Sequence, residues 1–200
     1  MKKKPPLSGN TFVRLADLYN LMEQAYAQSA ATAGLSCAGC PTNCCTSYFQ
    51  HHTRIEWIYL LKGFRALPAS RQADLRQRAS GYMAQVQAAL DAGQTPAAMC
   101  PVNENGLCTL YSHRLMICRM HGTRNSMRLP NGQEKIFAGC QQYVLLCEKN
   151  SHTPPALDRT PFYQSLAALE MEVLKNAAYP LPRVNLTIAE MILAGPPPLR

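Results

Sequence analysis

The chain has 200 residues, of which 47% are hydrophobic and 16% are charged, with a formal net charge of +8 and nine cysteines. This length and hydrophobic content are those of a folded chain with a sizeable core, and they exclude a disordered or fibrous protein. The cysteine content is too low, and the chain too long, for a small secreted scaffold that depends on disulfides.

Hydrophobic spacing predicts a mainly α fold: a small helical domain wrapped around a cysteine-rich site, with one short β-hairpin. Leu15, Leu18, Met22 and Tyr26 recur with a helical period and indicate a first helix that ends near Ala33-Gly34. Four further helices are predicted. The second opens with a Thr53–Glu56 capping box and runs through Leu61, and the third spans Leu75–Leu90 and ends at Gly93. Another starts at Thr160-Pro161, and a last short one spans Thr187–Leu193. The turn Leu129-Pro-Asn131-Gly132 predicts the hairpin, which closes on Ile136 and Phe137.

No internal repeat and no convincing linker interrupts the chain, so we predict a single helical domain over residues 11–194. Residues 1–10 form a basic segment and residues 195–200 a Pro-rich one, and both are expected to be flexible tails. Gly63, Pro68 and Ser70 are expected to separate the second helix from the third.

The cellular compartment is predicted from the N-terminal residues and from the lack of long apolar runs. No apolar core follows the N-terminal lysines, and no window approaches about 18 uninterrupted apolar residues, so neither a signal peptide nor a membrane-spanning helix is expected. We therefore expect a cytoplasmic protein, in which thiols stay reduced and clustered cysteines are metal ligands or redox groups.

Four thiols lie within nine residues in the segment Cys37-x2-Cys40-x3-Cys44-Cys45, which is rich in turn-forming residues. A Cys-x2-Cys loop directs two sulfurs toward one ion and leaves backbone N–H groups free to bond them. The side chains of the vicinal pair tend to diverge. Three arrangements of Cys44 and Cys45 are therefore open. Both bind one ion, which requires an unusual backbone conformation, or they bind two neighbouring metals. In the third, one of them binds the metal and the other only supports a ligand.

Five cysteines follow the cluster, at positions Cys100, Cys108, Cys118, Cys140 and Cys147. Four thiolates bind one zinc ion or one cubane cluster, so nine suffice for two centres with one to spare. Cys147, in an apolar run that starts at Tyr143, either binds metal or packs as a small buried hydrophobic residue.

These motifs also resemble a known family. Four segments are similar to the signature of the YkgJ-like bacterial cysteine-cluster proteins, which are described as zinc- or iron-chelating. They are the Cys37–Cys45 cluster, Cys100-Pro101, Gly106-Leu-Cys108-Thr-Leu-Tyr111 and Arg114-Leu-Met-Ile-Cys118-Arg119. Three residues stand between Cys40 and Cys44 where that signature has two, and Leu115 replaces a proline. The resemblance implies a metal- or cluster-binding protein. The signature of a flagellin lysine N-methylase is also similar, which suggests a distant link to protein methylation.

Thiolate ligation suits both zinc and iron–sulfur clusters, and spacing alone does not separate them. The chain has one Cys-x2-Cys pair rather than the two of a zinc ribbon, and its histidines have no zinc-finger spacing. A compact run with distant partners is closer to cluster proteins, so we favour an iron–sulfur cluster slightly over zinc as the cofactor.

Three other residues are candidates for contact with the centre. Tyr111 either donates its hydroxyl to a ligating sulfur or belongs to the core. Arg114 and Arg119, with Arg124 and Arg128, form either an electropositive wall around an anionic centre or a solvated basic face. The histidines at 51, 52, 113 and 121 are possible ligands that individually fit a surface or hydrogen-bonding role better.

Three classes of function follow. The favoured one is a metal-binding protein for redox chemistry, sensing or metal handling, whose partner is the metal ion or cluster. A zinc-stabilised nucleic-acid binder is suggested by the basic charge, but no basic and aromatic residues interleave as in a single-strand platform, so a nucleic-acid partner is not expected. An enzyme that modifies protein side chains is suggested only by the resemblance. The recognisable nucleotide, zincin and hydrolase motifs are absent from the sequence.

Overall fold

A computed structural model describes residues 9–37, 40, 44–175 and 181–199. The mainly α prediction is confirmed, since 56% of the chain is helical. The helices in the described ranges are α1 (Gly9–Ala33), α2 (Arg54–Arg65), α3 (Ala69–Asp91), α4 (Met116–Met120), α5 (Gln141–Lys149), α6 (Thr160–Leu174) and α7 (Ile188–Ala194). The strands there are β1 (Asn103–Glu104), β2 (Leu107–Cys108), β3 (Asn125–Arg128), β4 (Glu134–Phe137) and β5 (Leu157–Asp158). Within this part of the chain, no helix is long and apolar enough to cross a bilayer.

The chain divides into two compact units. Unit 1 comprises Met1–Cys44 and Met116–Met171, and unit 2 comprises Cys45–Leu115 and Glu172–Arg200. Two compact units can belong to one domain, so the single domain over residues 11–194 stays a prediction, as do its tails.

Unit 1 is built around the amphipathic helix α1, which contacts α4, α5 and β5. Leu15 and Met22 on its inner face are fully buried, whereas Val13 and Leu21 on its outer face are exposed. A three-stranded sheet of order β4-β3-β5 completes the unit, with β3 antiparallel to β4 and parallel to β5. The predicted hairpin is therefore confirmed, and its turn contains Gly132 at a φ of 83°.

Unit 2 is a helical packing of α2, α3 and α7, in which α7 contacts both of the others. The indole Nε1 of Trp57 donates to the carbonyl oxygen of Met191 at 3.1 Å and joins α2 to α7. Helix α7 begins with a complete capping box, because the Thr187 hydroxyl accepts from the Glu190 N–H while the Glu190 carboxylate accepts from the Thr187 N–H.

Two local predictions about α2 are wrong, although the helix itself is confirmed. Thr53 is the N-cap, but its hydroxyl donates to the Glu56 carboxylate at 2.8 Å instead of accepting a backbone N–H, so no capping box forms. Gly63 lies inside α2 and not after it, because the helix continues to Arg65. The prediction for Ser70 is also wrong, because α3 begins at Ala69 and so includes Ser70. The absence of a side chain at Gly63 leaves room for the ring of His113, which lies 4.6 Å from the Tyr59 ring centroid.

Replacing Gly63 by alanine is expected to lower the free energy of unfolding by about 1–3 kcal/mol, because the new Cβ would lie 2.5 Å from Cγ of His113. Gly81→Ala is the matched control, since Gly81 lies in α3 with open space around it and gains up to about 1 kcal/mol from helix propensity. Urea denaturation of the two variants measures both effects. Equal shifts would show that the His113 ring does not pack against Gly63.

Candidate functional site

The first group of neighbouring thiols lies in unit 1 and comprises Cys37, Cys44 and Cys140, which we call the first thiol set. The hydroxyl of Tyr26, on α1, lies 3.9 Å from Sγ of Cys37. Burial raises the pKa of Tyr26 far above its ordinary value, and Cys37, Cys140 and Cys44 raise it further, so these three thiols lie within electrostatic reach of the hydroxyl. Sequence analysis did not identify Tyr26 as a site residue, because its helical spacing only marked it as core.

Cys140 is held in place by its backbone. Its N–H donates to the carbonyl oxygen of Gly122 at 2.8 Å, and its sulfur caps α5 by accepting the N–H of Tyr143 at 3.4 Å. A cysteine at this N-cap takes the role that a serine or aspartate usually has, and its sulfur also faces the positive end of the helix. The sulfur of Cys140 is thereby held at the N-terminus of α5.

The Tyr26 ring packs against Gly122, which has a φ of 139°. A Cβ at Gly122 would lie 2.2 Å from the Tyr26 hydroxyl oxygen, so only glycine fits between α1 and the residues that carry Cys140. Gly139, directly before Cys140, is equally confined, because its Cβ would meet the Gly122 carbonyl oxygen at 2.5 Å.

The second group of neighbouring thiols lies in unit 2 and comprises Cys45, Cys100 and Cys108, which we call the second thiol set. The Cys100 N–H donates to the Cys45 carbonyl oxygen at 2.9 Å. The pKa of the Cys100 thiol is raised to about 12, chiefly by burial and also by Cys45 and Cys108, against the Val102 backbone N–H and Arg78, which lower it. Cys45, Cys108 and Arg78 therefore lie within electrostatic reach of Cys100.

A small hairpin positions Cys108 of the second thiol set. Strands β1 and β2 pair Asn103 with Cys108, and the two-residue turn between them consists of Asn105 and Gly106 at φ values of 50° and 85°. Positive φ at both positions is typical of the type I′ turn that an Asn-Gly pair favours. This Asn-Gly pair was visible in the sequence but was not used to predict the hairpin.

Helix α3 holds this hairpin through two arginines. Arg78 donates to the Glu104 carboxylate at 3.0 Å and to the Asn103 carbonyl oxygen, and Arg71 also pairs with Glu104. The Arg71 hydrogen bond lowers the pKa of Glu104, so the carboxylate stays ionised at neutral pH. Arg71 and Arg78 lie 33 and 26 residues before Glu104, and no local sequence pattern linked them to the hairpin.

The remaining predicted ligands lie in unit 1 outside these two sets. Cys40 is partly buried and donates its N–H to the Cys37 carbonyl oxygen at 3.3 Å, and Cys118 is partly buried on α4. Cys147 is buried in a cluster with Ala33 and Tyr143. This packing favours the hydrophobic interpretation of Cys147 over the metal-ligand one.

The structure also places the three predicted contact residues. Tyr111 is 48% exposed, which excludes the core alternative, and the Arg114 guanidinium lies 4.0 Å above its ring. Arg119 is buried on α4, where it lies 4.3 Å above the Tyr19 ring and 3.4 Å from the Glu23 carboxylate. Its guanidinium therefore packs against α1, and contact of these three residues with a metal centre stays a prediction.

Among the residues that the structure describes, no three His, Cys, Asp or Glu side chains converge closely enough to hold a metal ion. Thiols are nevertheless the donors that a thiophilic metal prefers, and each set draws its three thiols from more than one segment of the chain.

Comparison with protein-family models, with curated proteins and with solved structures finds no match. The resemblance to the YkgJ-like proteins thus rests on the motif residues quoted above. What the fold and the site define is a mainly helical protein with two sets of neighbouring thiols.

Proposed function

We propose that the protein binds thiolate-ligated metal through the two thiol sets, with an iron–sulfur cluster favoured over zinc, and serves in redox chemistry, sensing or metal handling. The observation that carries this proposal is the division of the vicinal pair. Cys44 belongs to unit 1 with Cys37 and Cys140, and all three raise the pKa of Tyr26. Cys45 belongs to unit 2, where its carbonyl oxygen accepts the Cys100 N–H and where it raises the pKa of Cys100 together with Cys108. Each of two adjacent residues thereby belongs to its own group of thiols.

Burial as separate hydrophobic side chains does not explain this arrangement. Cys37 and Cys44 are exposed, and the other four members of the two sets are only partly buried. A cysteine that serves the core is inert and enclosed by apolar neighbours, as Cys147 is. Sulfurs that gather at the edge of the core in turns and caps are typical of ligands.

The first thiol set would hold its metal through Cys37, Cys44 and Cys140, with Cys40 or Cys118 as the fourth ligand. The second would use Cys45, Cys100 and Cys108. When bound, an iron–sulfur cluster supplies one-electron chemistry and zinc supplies a structural cross-link. In unit 2, Arg78 and the Val102 N–H lower the pKa of Cys100 and so partly oppose the effect of its burial. In unit 1, the Tyr143 N–H at the N-terminus of α5 donates to the Cys140 sulfur.

Metal analysis of paired variants, purified without oxygen, tests the proposal. We expect Cys37→Ser/Cys140→Ser and Cys100→Ser/Cys108→Ser each to lose about half of the bound metal, because each disables one set. Cys147→Ala is the matched control, which keeps the full metal content and loses only packing stability. Iron, labile sulfide and visible absorption would support the cluster.

Two results would contradict the proposal at different levels. Stoichiometric zinc in a colourless protein would exclude the cluster and retain thiolate ligation. Protein that binds neither metal, or a Cys147→Ala variant that loses as much metal as the paired variants, would overturn the assignment of the two sets.

A further inference from the structure

Arg159 in unit 1 is a buried cation whose backbone is fixed on both sides. It follows β5 directly, where its N–H donates to the Ser126 carbonyl oxygen at 3.0 Å. Its own carbonyl oxygen accepts the N–H of Tyr163 at 3.1 Å, which begins the first turn of α6. The side chain is only 8% exposed, so its position is set by the junction of strand and helix.

Two aromatic rings flank the guanidinium of Arg159. Its Cζ atom lies 3.7 Å from the centroid of the Phe137 ring and 5.3 Å from that of Tyr163. Ring contacts of this kind engage the face of the guanidinium plane and leave the N–H groups at its edge. They also hold the plane in one orientation, which lowers the entropy lost when a ligand binds to that edge.

The N–H groups at that edge have no acceptor. Among the residues that the structure describes, none accepts a hydrogen bond from the Arg159 side chain, and its Nε is fully buried. A buried guanidinium without hydrogen bonds carries a desolvation cost that a bound acceptor removes. The planar edge matches two oxygen atoms of one oxyanion.

The surroundings of Arg159 add positive charge and no paired carboxylate. The Lys135 ammonium lies 5.1 Å from the centroid of the same Phe137 ring, and within the described chain neither Lys135 nor Arg159 forms an ion pair. The adjacent carboxylate of Asp158 accepts the N–H of Thr160 at 2.8 Å. Neighbouring strand residues point to opposite faces, so Asp158 is directed away from the Arg159 side chain.

His121 is within electrostatic reach of this cation. Burial lowers the pKa of His121, and Arg159 lowers it further. The imidazole therefore adds no positive charge to that of the two cations.

We propose that Arg159, with Lys135 as the second cation, forms a binding site for a phosphate group in unit 1. Two cations without a paired carboxylate favour a dianion over a monoanionic carboxylate, and the guanidinium edge binds two of its oxygens. The phosphate site uses none of the cysteines, so its test is independent of the test of the proposed metal centres.

Titration of the full-length protein with inorganic phosphate, at an ionic strength held constant with chloride, tests this site. The readout is the NMR signal of the Arg159 Nε–H. This signal is assigned as the one that disappears in the Arg159→Lys variant. We expect a saturable shift of this signal and a rise in Tm with phosphate. Lys135→Gln and Arg159→Lys should each weaken phosphate binding, the latter about tenfold, because lysine lacks the planar fork.

Arg128→Gln is the matched control, because it removes one exposed positive charge from the same sheet. Phosphate affinity that falls as much in Arg128→Gln as in Arg159→Lys would overturn the site, and so would an unchanged Arg159 signal in the wild-type protein. A shift with acetate but not with phosphate would overturn the choice of a phosphate group. If the Arg159→Lys variant does not fold, the phosphate titrations of the wild-type protein and of Lys135→Gln still test the site.

Discussion

Replacing Gly122 by alanine is expected to destabilise the protein by about 2–4 kcal/mol and to remove metal from the first thiol set. The φ of 139° at Gly122 is strained for any residue with a Cβ, and that Cβ would lie 2.2 Å from the Tyr26 hydroxyl oxygen. Because the Gly122 carbonyl accepts the Cys140 N–H at 2.8 Å, a shift of this backbone also moves Cys140. Urea denaturation and metal analysis of the same sample measure both losses.

Two further variants separate strain from the steric clash. Gly132 also has a positive φ, of 83°, but open space surrounds it, so Gly132→Ala is expected to cost about 1–2 kcal/mol and to leave the metal content unchanged. Tyr26→Phe removes the oxygen that the new Cβ would meet, so Gly122→Ala/Tyr26→Phe should recover part of the lost stability. A double variant as unstable as the sum of its parts would show that Tyr26 does not pack on Gly122.

Lowering the pH from 6.5 toward 3 is expected to destabilise the protein through His51. Burial lowers the pKa of His51 from 6.5 to about 3, and His52 lowers it slightly further. In this interval the unfolded chain binds a proton that the folded chain does not, so stability falls as the pH falls. The slope is roughly 1.4 kcal/mol per pH unit for one such group.

The slope is measured by urea denaturation of the wild-type protein and of His51→Leu at pH 6.5, 5.5 and 4.5. Leucine is suitable because the buried Nε2 of His51 has no hydrogen-bond partner in the described part of the chain, and only backbone bonds join His51 to Leu186. The variant should lose the His51 slope, whereas His52→Gln, at an exposed position, should retain it. Parallel pH curves for the wild type and His51→Leu would contradict a buried neutral imidazole.

The predicted helices and hairpin were largely correct, because the features that define them are local. Helical spacing from Leu15 to Tyr26 and the turn at Asn131-Gly132 depend on residues only a few positions apart. The short helices α4 and α5 were missed because five and nine residues contain too little periodicity to recognise. The β1–β2 hairpin had a local signal at Asn105-Gly106 that was overlooked.

The candidate site was only partly predictable. The cysteine spacing predicted thiol ligands and counted the available sulfurs, and it left open whether Cys44 and Cys45 bind the same ion. Tyr26 lies within electrostatic reach of Cys140, which is far along the chain. Arg78 donates a hydrogen bond to Asn103 in the β1–β2 hairpin. No spacing rule reports such contacts, since they depend on how α1 and α3 pack.

By itself, the sequence determined the helical class and the positions of most helices, and it predicted thiolate ligation, because these follow from residue type and short spacing. Only the tertiary structure decided that Cys44 and Cys45 belong to different units and that Arg159 is buried with no acidic partner among the described residues. The physical reason is that burial, desolvation and charge pairing depend on contacts between distant segments. The nine cysteines are thereby divided into two sets, a buried residue at Cys147 and two further candidates at Cys40 and Cys118.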